Sequence, residues 1–227
     1  MKNRGLIGTI IFLLLSAGFT VAVKVVDVQP IGPDGTRVGF ASINAKVAEL
    51  LGFNETLYEI AKLLGYVVIA VFLFFAMMGF IQLVKRRSLL KVDSNILVLG
   101  GMYFAVFAMY VVFQKVIINY RPVIIPGATE VEASFPSSHT AMAIVVIAGA
   151  LMQLHYYIES RGLRTILSLL LWALMIVAVG TRFLSGAHWF TDIVAAIFYA
   201  LTLIFAYKTV IFAVEKNERP GGYIPKH

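Results

Sequence analysis

The chain has 227 residues, 60% of them hydrophobic and only 14% charged, whereas a soluble domain carries about a quarter charged residues. Seventeen Phe, ten Tyr and a mean hydropathy of +0.88 point to lipid as the main solvent, and the absence of Cys excludes disulfide scaffolds and thiolate metal sites. The net charge of +7 does not mark a nucleic-acid binder, because a basic groove needs clustered cations on soluble surface.

A helix crosses a hydrocarbon core of about 30 Å with roughly 20 mostly apolar residues. Six runs approach that length: residues 6–23, 63–84, 96–118, 140–158, 165–180 and 189–212. The first follows Lys2 and Arg4 and ends near the small residues Thr20-Val21-Ala22, so a cleaved signal peptide is its alternative reading; a retained span is favoured. Next comes a Pro/Gly-rich stretch, 30–35, and an amphipathic region, 42–64, expected as a short helix on the outer interface. Asn54 is placed to cap a helix there, with Phe53 stapling onto Tyr58. Asn54-Glu55-Thr56 has the form of a glycosylation acceptor, a triplet common by chance. The fifth run is short, and the sixth contains Asp192.

Orientation follows from the basic residues of the short loops. With the N-terminus inside, the inner segments hold twelve Lys and Arg against four Asp and Glu, a net of +8; the outer segments hold seven against eight, a net of −1. The expectation is an all-α six-helix membrane bundle with both termini cytoplasmic. It forms one domain over 1–227, with an outer loop at about 24–62 and a motif-bearing core at 115–192.

Ionisable residues at the ends of apolar spans are costly and need a partner or a function. Lys115 and Arg121 follow the third span, His139 opens the fourth, and Arg182, His188 and Asp192 bridge the fifth and sixth, all at the outer ends. His188 and Asp192 are four residues apart, the spacing of one helix face. Asp192 can then fix one imidazole nitrogen and leave the other free to attack, or the pair can simply staple the sixth helix. Ser134-Phe135-Pro136-Ser137-Ser138-His139 reads as a helix start capped by Ser137 or Ser138, a natural phosphate-binding position. Lys115 and Arg121-Pro122 end a span; a guanidinium binds phosphate in bidentate fashion, although for this segment taken alone interfacial snorkelling is the better reading. Together the three segments suit phosphoryl transfer through a phosphohistidine, with cations on the equatorial oxygens. Asp192 is the sole carboxylate of the motifs, so no metal or other cofactor is expected. His155, near the inner end of the fourth span, and His227, in the polar tail, are assigned no role.

Lys115…Arg121-Pro122, Pro136-Ser137-Ser138-His139 and Arg182…His188…Asp192 resemble the three signature motifs of the type 2 phosphatidic acid phosphatase family. The resemblance covers roughly 63–212. It implies six transmembrane helices and a metal-independent phosphatase site at the outer face. It also implies His188 as nucleophile, Asp192 as its orienting carboxylate, His139 as general acid, and Lys115, Arg121, Ser138 and Arg182 as the phosphate cradle. Two positions depart from the family pattern. Five residues rather than six separate Lys115 from Arg121, and helical register would place Gln114 at the family's lysine position. Lys115 is nevertheless preferred, because the residue before Pro122 disfavours α geometry and the chain must leave the helix. Ser138 stands where the family commonly has Gly.

The expected activity is hydrolysis of the terminal phosphate of a membrane lipid phosphate or pyrophosphate: undecaprenyl pyrophosphate, phosphatidylglycerophosphate or phosphatidic acid. The partners are this substrate and the surrounding lipids, with no nucleic acid, and a bacterial plasma membrane is the expected setting. The rivals are a lipid phosphotransferase and a catalytically silent anion-binding membrane protein.

Overall fold

A computed structural model describes residues 2–218, an all-helical membrane protein; Arg219, Lys226 and His227 lie outside the described residues. In chain order the helices are α1 (Lys2–Val25), α2 (Ala41–Leu51), α3 (Glu55–Arg86), α4 (Ser94–Lys115), α5 (Ser138–Tyr157), α6 (Arg161–Leu184) and α7 (Phe190–Glu218). All but α2 are long and apolar enough to cross a membrane. An α-helix satisfies every backbone polar group within its own segment, which is what hydrocarbon demands. Leu, Ile, Val and Phe side chains accordingly remain exposed along α1, α3, α4 and α6.

The principal difference from the expected layout lies between the first two spans. The amphipathic region is split: α2 ends at Gly52, which sits at φ 62°, and Asn54 then caps α3 by accepting the Leu57 N–H at 2.9 Å. Phe53 packs on Tyr58 with ring centroids 5.9 Å apart, as expected of a hydrophobic staple. The second span therefore begins at Glu55 rather than near residue 63. Its 32 residues reach about 48 Å, so it extends beyond the hydrocarbon core. The fifth span is likewise longer than its uncharged run, carrying Arg182 inside its last turn.

Hydrogen bonds between helix ends define two faces. Lys24 at the end of α1 donates to the Ile117 carbonyl after α4, and the Asn54 N–H before α3 donates to the Ser185 carbonyl after α6. At the opposite face, Arg86 of α3 pairs with Asp93 before α4 at 2.6 Å, and the Tyr156 hydroxyl of α5 donates to Glu215 of α7. Near that face Gln153 of α5 accepts from Asn95 of α4 at 2.7 Å and donates to the Tyr207 hydroxyl of α7 at 2.8 Å, while the Asn95 amide also reaches the Tyr157 hydroxyl at 3.0 Å. Such a network locks three helices in register, because a buried amide out of register would lose its partners.

α5 is the central helix, with half of its most apolar window buried, against 6% for α6. Its small residues Ala141, Ala143, Gly149 and Ala150 permit that close approach. α1 lies along α7 in the same way. A Cβ at Gly8 would meet the Phe205 ring, Phe12 stacks on Phe205 at 5.4 Å, and the Thr20 and Tyr199 hydroxyls lie 2.9 Å apart. The N-terminus of the most buried helix thus opens at the same face as the ends of α4, α6 and α7.

Candidate active site

At that face the segment between α4 and α5 folds back on itself. Ser134 N–H donates to the Asn119 carbonyl and Arg121 N–H to the Glu132 carbonyl, both at 2.9 Å, with Tyr120 and Ala133 forming a short antiparallel bridge. This pairing sets Arg121 beside Glu132, whose carboxylate accepts from Nε at 2.9 Å, and leaves the other end of the guanidinium pointing inward. α4 has already ended at Lys115, with Val116 leaving helical geometry.

Two guanidiniums converge on one imidazole nitrogen. Nη1 of Arg121 lies 3.1 Å from Nε2 of His188, and Nη2 of Arg182 lies 3.0 Å from the same atom. A guanidinium has only donors, so Nε2 is the acceptor and the imidazole proton resides on Nδ1. Nδ1 faces Oδ2 of Asp192 at 3.5 Å, beyond ordinary hydrogen-bond length, and is buried without a hydrogen-bond partner. His188 lies between the spanning helices. Burial first, then the charges of Arg182 and Arg121, hold it well below the ordinary histidine value. The arrangement presents a neutral imidazole with its lone pair directed at two cations.

The charge of Arg182 is not matched by a contacting carboxylate. It is 2% exposed, its guanidinium lies 5.2 Å from the centre of the Tyr58 ring, and its buried Nε has no hydrogen-bond partner. Two buried cations a few ångströms apart, only one of them paired with an acidic side chain, make a place that favours an anion.

Asp192 is fully buried and held from several sides: Oδ1 accepts from the Asn119 amide at 3.3 Å, and Oδ2 from the Trp189 backbone N–H at 3.1 Å. The second bond is a capping interaction, since Trp189 immediately precedes α7 and Asp192 lies in its first turn. His188 stands before the helix, not on it. The expected shared helix face is therefore replaced by a turn, in which Asp192 both caps α7 and faces the imidazole. The indole N–H of Trp189 donates to the Tyr120 carbonyl at 2.7 Å, tying this turn to the Arg121 segment.

The second motif sits at the start of α5. Ser137 is the N-cap residue, but its hydroxyl pairs with Thr140 at 2.9 Å rather than with a backbone N–H of the first turn. Ser138, half-buried, and His139 face a cavity of about 1190 Å³ whose polar end also contains Gln114, Arg121, Glu132 and His188. Nδ1 of His139 is buried without a partner, and the ring edge packs over Gly65 of α3.

Of the seven residues singled out from sequence, the structure gathers Arg121, Ser138, His139, Arg182, His188 and Asp192. Lys115 is not brought there: it is exposed and absent from the cavity wall, whereas Gln114 lines it. The cause is that α4 remains helical through Lys115, so residues 114 and 115 project about 100° apart and the register argument for Gln114 prevails. His155 lies near the opposite face, in the last turn of α5.

Several site residues carried no sequence signal strong enough to find them. Glu132 and Asn119 support Arg121 and Asp192, Tyr58 lies over Arg182, and Asn44 of α2 bonds Thr191 beside Asp192. Asn119, two residues before Arg121, and Glu132, two before Ser134, had proximity to a motif as a clue.

Residues 117–216 match the family model of the PAP2 superfamily. The fold is shared with a transmembrane PAP2-type phosphatidylglycerolphosphate phosphatase from Bacillus subtilis, whose crystal structure superposes with a TM-score of 0.63 over 91% of this chain and 96% of its own, at 16% sequence identity. No curated protein sequence matches the chain significantly.

Proposed function

We propose that the chain is a membrane lipid phosphatase of the type 2 phosphatidic acid phosphatase family that removes the terminal phosphate of a lipid phosphate or pyrophosphate, a reading supported by the PAP2 superfamily match over residues 117–216 and by the shared fold. Undecaprenyl pyrophosphate, phosphatidylglycerophosphate and phosphatidic acid are the candidate substrates. The observation that carries the reading is the convergence of Arg121 and Arg182 on Nε2 of His188 at 3.1 and 3.0 Å.

A phosphate entering between the imidazole and the guanidiniums takes over the donors that now point at Nε2, freeing that lone pair for attack. Nε2 forms a bond to the terminal phosphorus as its bond to the leaving oxygen breaks, the lipid oxygen in a monoester or the bridging oxygen in a pyrophosphate, and His139 donates a proton to that oxygen. Arg121 and Arg182 neutralise the equatorial oxygens, aided by Ser138 at the start of α5. Asp192 stabilises the positive charge that His188 acquires. A water molecule then attacks the phosphohistidine, giving its proton to His139 and releasing inorganic phosphate and free His188. The cations take the part a metal plays in other phosphatases, so the reaction is metal-independent.

The excess of Lys and Arg on the face opposite the site supports a cytoplasmic location for both termini and an outward-facing site, in a bacterial plasma membrane. The substrate enters sideways from the bilayer, its headgroup meeting the cations while its chain stays in hydrocarbon.

The test is phosphate release from a panel of the three lipids by purified protein in excess EDTA, beside His188→Ala. Sustained release by the wild type, lost in the variant, is expected. Activity abolished by chelation overturns the metal-free mechanism, and activity retained by His188→Ala overturns the nucleophile.

A further inference from the structure

A terminal phosphate attacked by Nε2 of His188 presents its leaving group on the far side of phosphorus, since the entering and departing atoms stand roughly in line. Arg121 and Arg182 lie 3.1 and 3.0 Å from Nε2, at the entering end. The leaving group instead faces the cavity, whose polar wall beyond Arg121 includes Gln114, Glu132, Ser138 and His139. Among the described residues, Arg121 is the one Lys or Arg that borders this cavity, and its Nε is already paired with Glu132 at 2.9 Å. Lys115 is exposed and projects about 100° away from Gln114. The leaving side thus offers a proton donor, an amide and a carboxylate, and no cation of its own.

We propose that the site selects a phosphomonoester over a diphosphate, with Glu132 and the neutral Gln114 as the residues that set the choice. This rests on the lipid phosphatase reading and narrows its substrate class. In a monoester the bond from phosphorus to the lipid oxygen breaks, the electron pair goes to that oxygen, and one proton from His139 leaves a neutral alcohol. In a diphosphate the bond to the bridging oxygen breaks and the leaving group is a lipid monophosphate, which keeps negative charge on its other oxygens after that proton arrives. Such a group needs cations, and here it meets Glu132 and Gln114 instead. Glu132 is half exposed, so water and salt screen it in part; one uncompensated like charge at this place is still worth on the order of tenfold. Of the three candidate substrates, phosphatidylglycerophosphate and phosphatidic acid fit this wall and undecaprenyl pyrophosphate does not.

The experiment measures initial phosphate release in detergent from two matched pairs, an isoprenyl monophosphate with its diphosphate and phosphatidic acid with diacylglycerol diphosphate. The proteins are the full-length wild type, Gln114→Lys and Glu132→Gln. Identical tails cancel within a pair, and the ratio is taken within each protein, so a general loss of fold cancels as well. In each pair it hydrolyses, the wild type is expected to show kcat/KM at least about fivefold higher on the monoester. Gln114→Lys adds a cation to the cavity wall and Glu132→Gln removes the repelling charge; each is expected to narrow the preference by about threefold or more, through a higher kcat/KM on the diphosphate. A role of Glu132 solely in bracing Arg121 would lower both members of a pair alike and leave the ratio unmoved. Narrowing by one variant alone supports the inference and assigns the preference to that residue. A smaller wild-type preference, or one that neither variant narrows, overturns the inference and leaves the phosphatase reading intact. A wild type inert on all four lipids overturns both.

Discussion

Asn44 offers the sharpest test of how the fold holds the site. It is fully buried on α2, outside the family-matched segment, and its amide donates to the Gly39 carbonyl at 2.8 Å and to the Thr191 hydroxyl at 2.9 Å. Its carbonyl accepts the Thr191 backbone N–H at 3.2 Å. That N–H belongs to the first turn of α7, where no intrahelical acceptor exists, so α2 caps α7 from outside, one residue before Asp192. Asn44→Ala leaves the Thr191 N–H and the Gly39 carbonyl buried and unpaired. At ~1–3 kcal/mol for each of the two stranded groups, the loss is about 2–6 kcal/mol, a large share of a typical fold's margin. The same change releases the turn that faces Asp192 toward Nδ1 of His188, a contact already 3.5 Å long. A misplacement near 1 Å costs on the order of 10²-fold in rate. Phosphate release by Asn44→Ala is therefore expected to show kcat lowered roughly 10–100-fold, with KM within about twofold, beside a lower melting temperature in detergent. Asn44→Asp keeps an acceptor for the Thr191 N–H and should recover part of the rate. If kcat stays at the wild-type level while the melting temperature falls, α2 supports the fold alone and the reasoning fails.

Gln114→Ala should lower kcat/KM several-fold, since Gln114 lines the cavity, and Lys115→Ala should stay within about twofold of wild type; equal losses would show that the exposed lysine reaches the phosphate after all. The depressed His188 value keeps the proposed nucleophile neutral, so the acid limb of kcat/KM should fall below pH ~6.5. On acidification the native state takes up this proton later than the unfolded chain does. Stability is therefore complete above the unfolded value of about 6.5 and declines as pH falls toward the native one, which pH-dependent melting will register. Gly186, at φ 67°, faces the Gly52 carbonyl so closely that a Cβ has no room; Gly186→Ala should destabilise by about 2 kcal/mol or more. Unchanged melting of this variant would refute the contact between the α6–α7 turn and the end of α2.

Much of this protein is written in runs and short motifs. Hydrocarbon requires about 20 apolar residues per crossing, so each spanning helix announced itself within its own stretch of chain. Arg121, His139, Arg182, His188 and Asp192 stood out because charged groups at the ends of such stretches are rare. Asn54 and Phe53 were equally legible, since a cap and its staple act within five residues of chain. What depended on assembly was every relation between distant segments. Whether Gln114 or Lys115 lines the cavity turned on how far α4 remains helical, and local signals at a proline leave that open. That Glu132 braces Arg121, that Tyr58 covers Arg182 and that Asn44 caps α7 are contacts between segments 11 to 147 residues apart. Single-residue propensities hold no record of such partners. The cavity beneath the site is of the same kind, because an apolar residue facing lipid and one facing a neighbouring helix look alike in a chain whose solvent is hydrocarbon. Only the packed bundle distinguishes them.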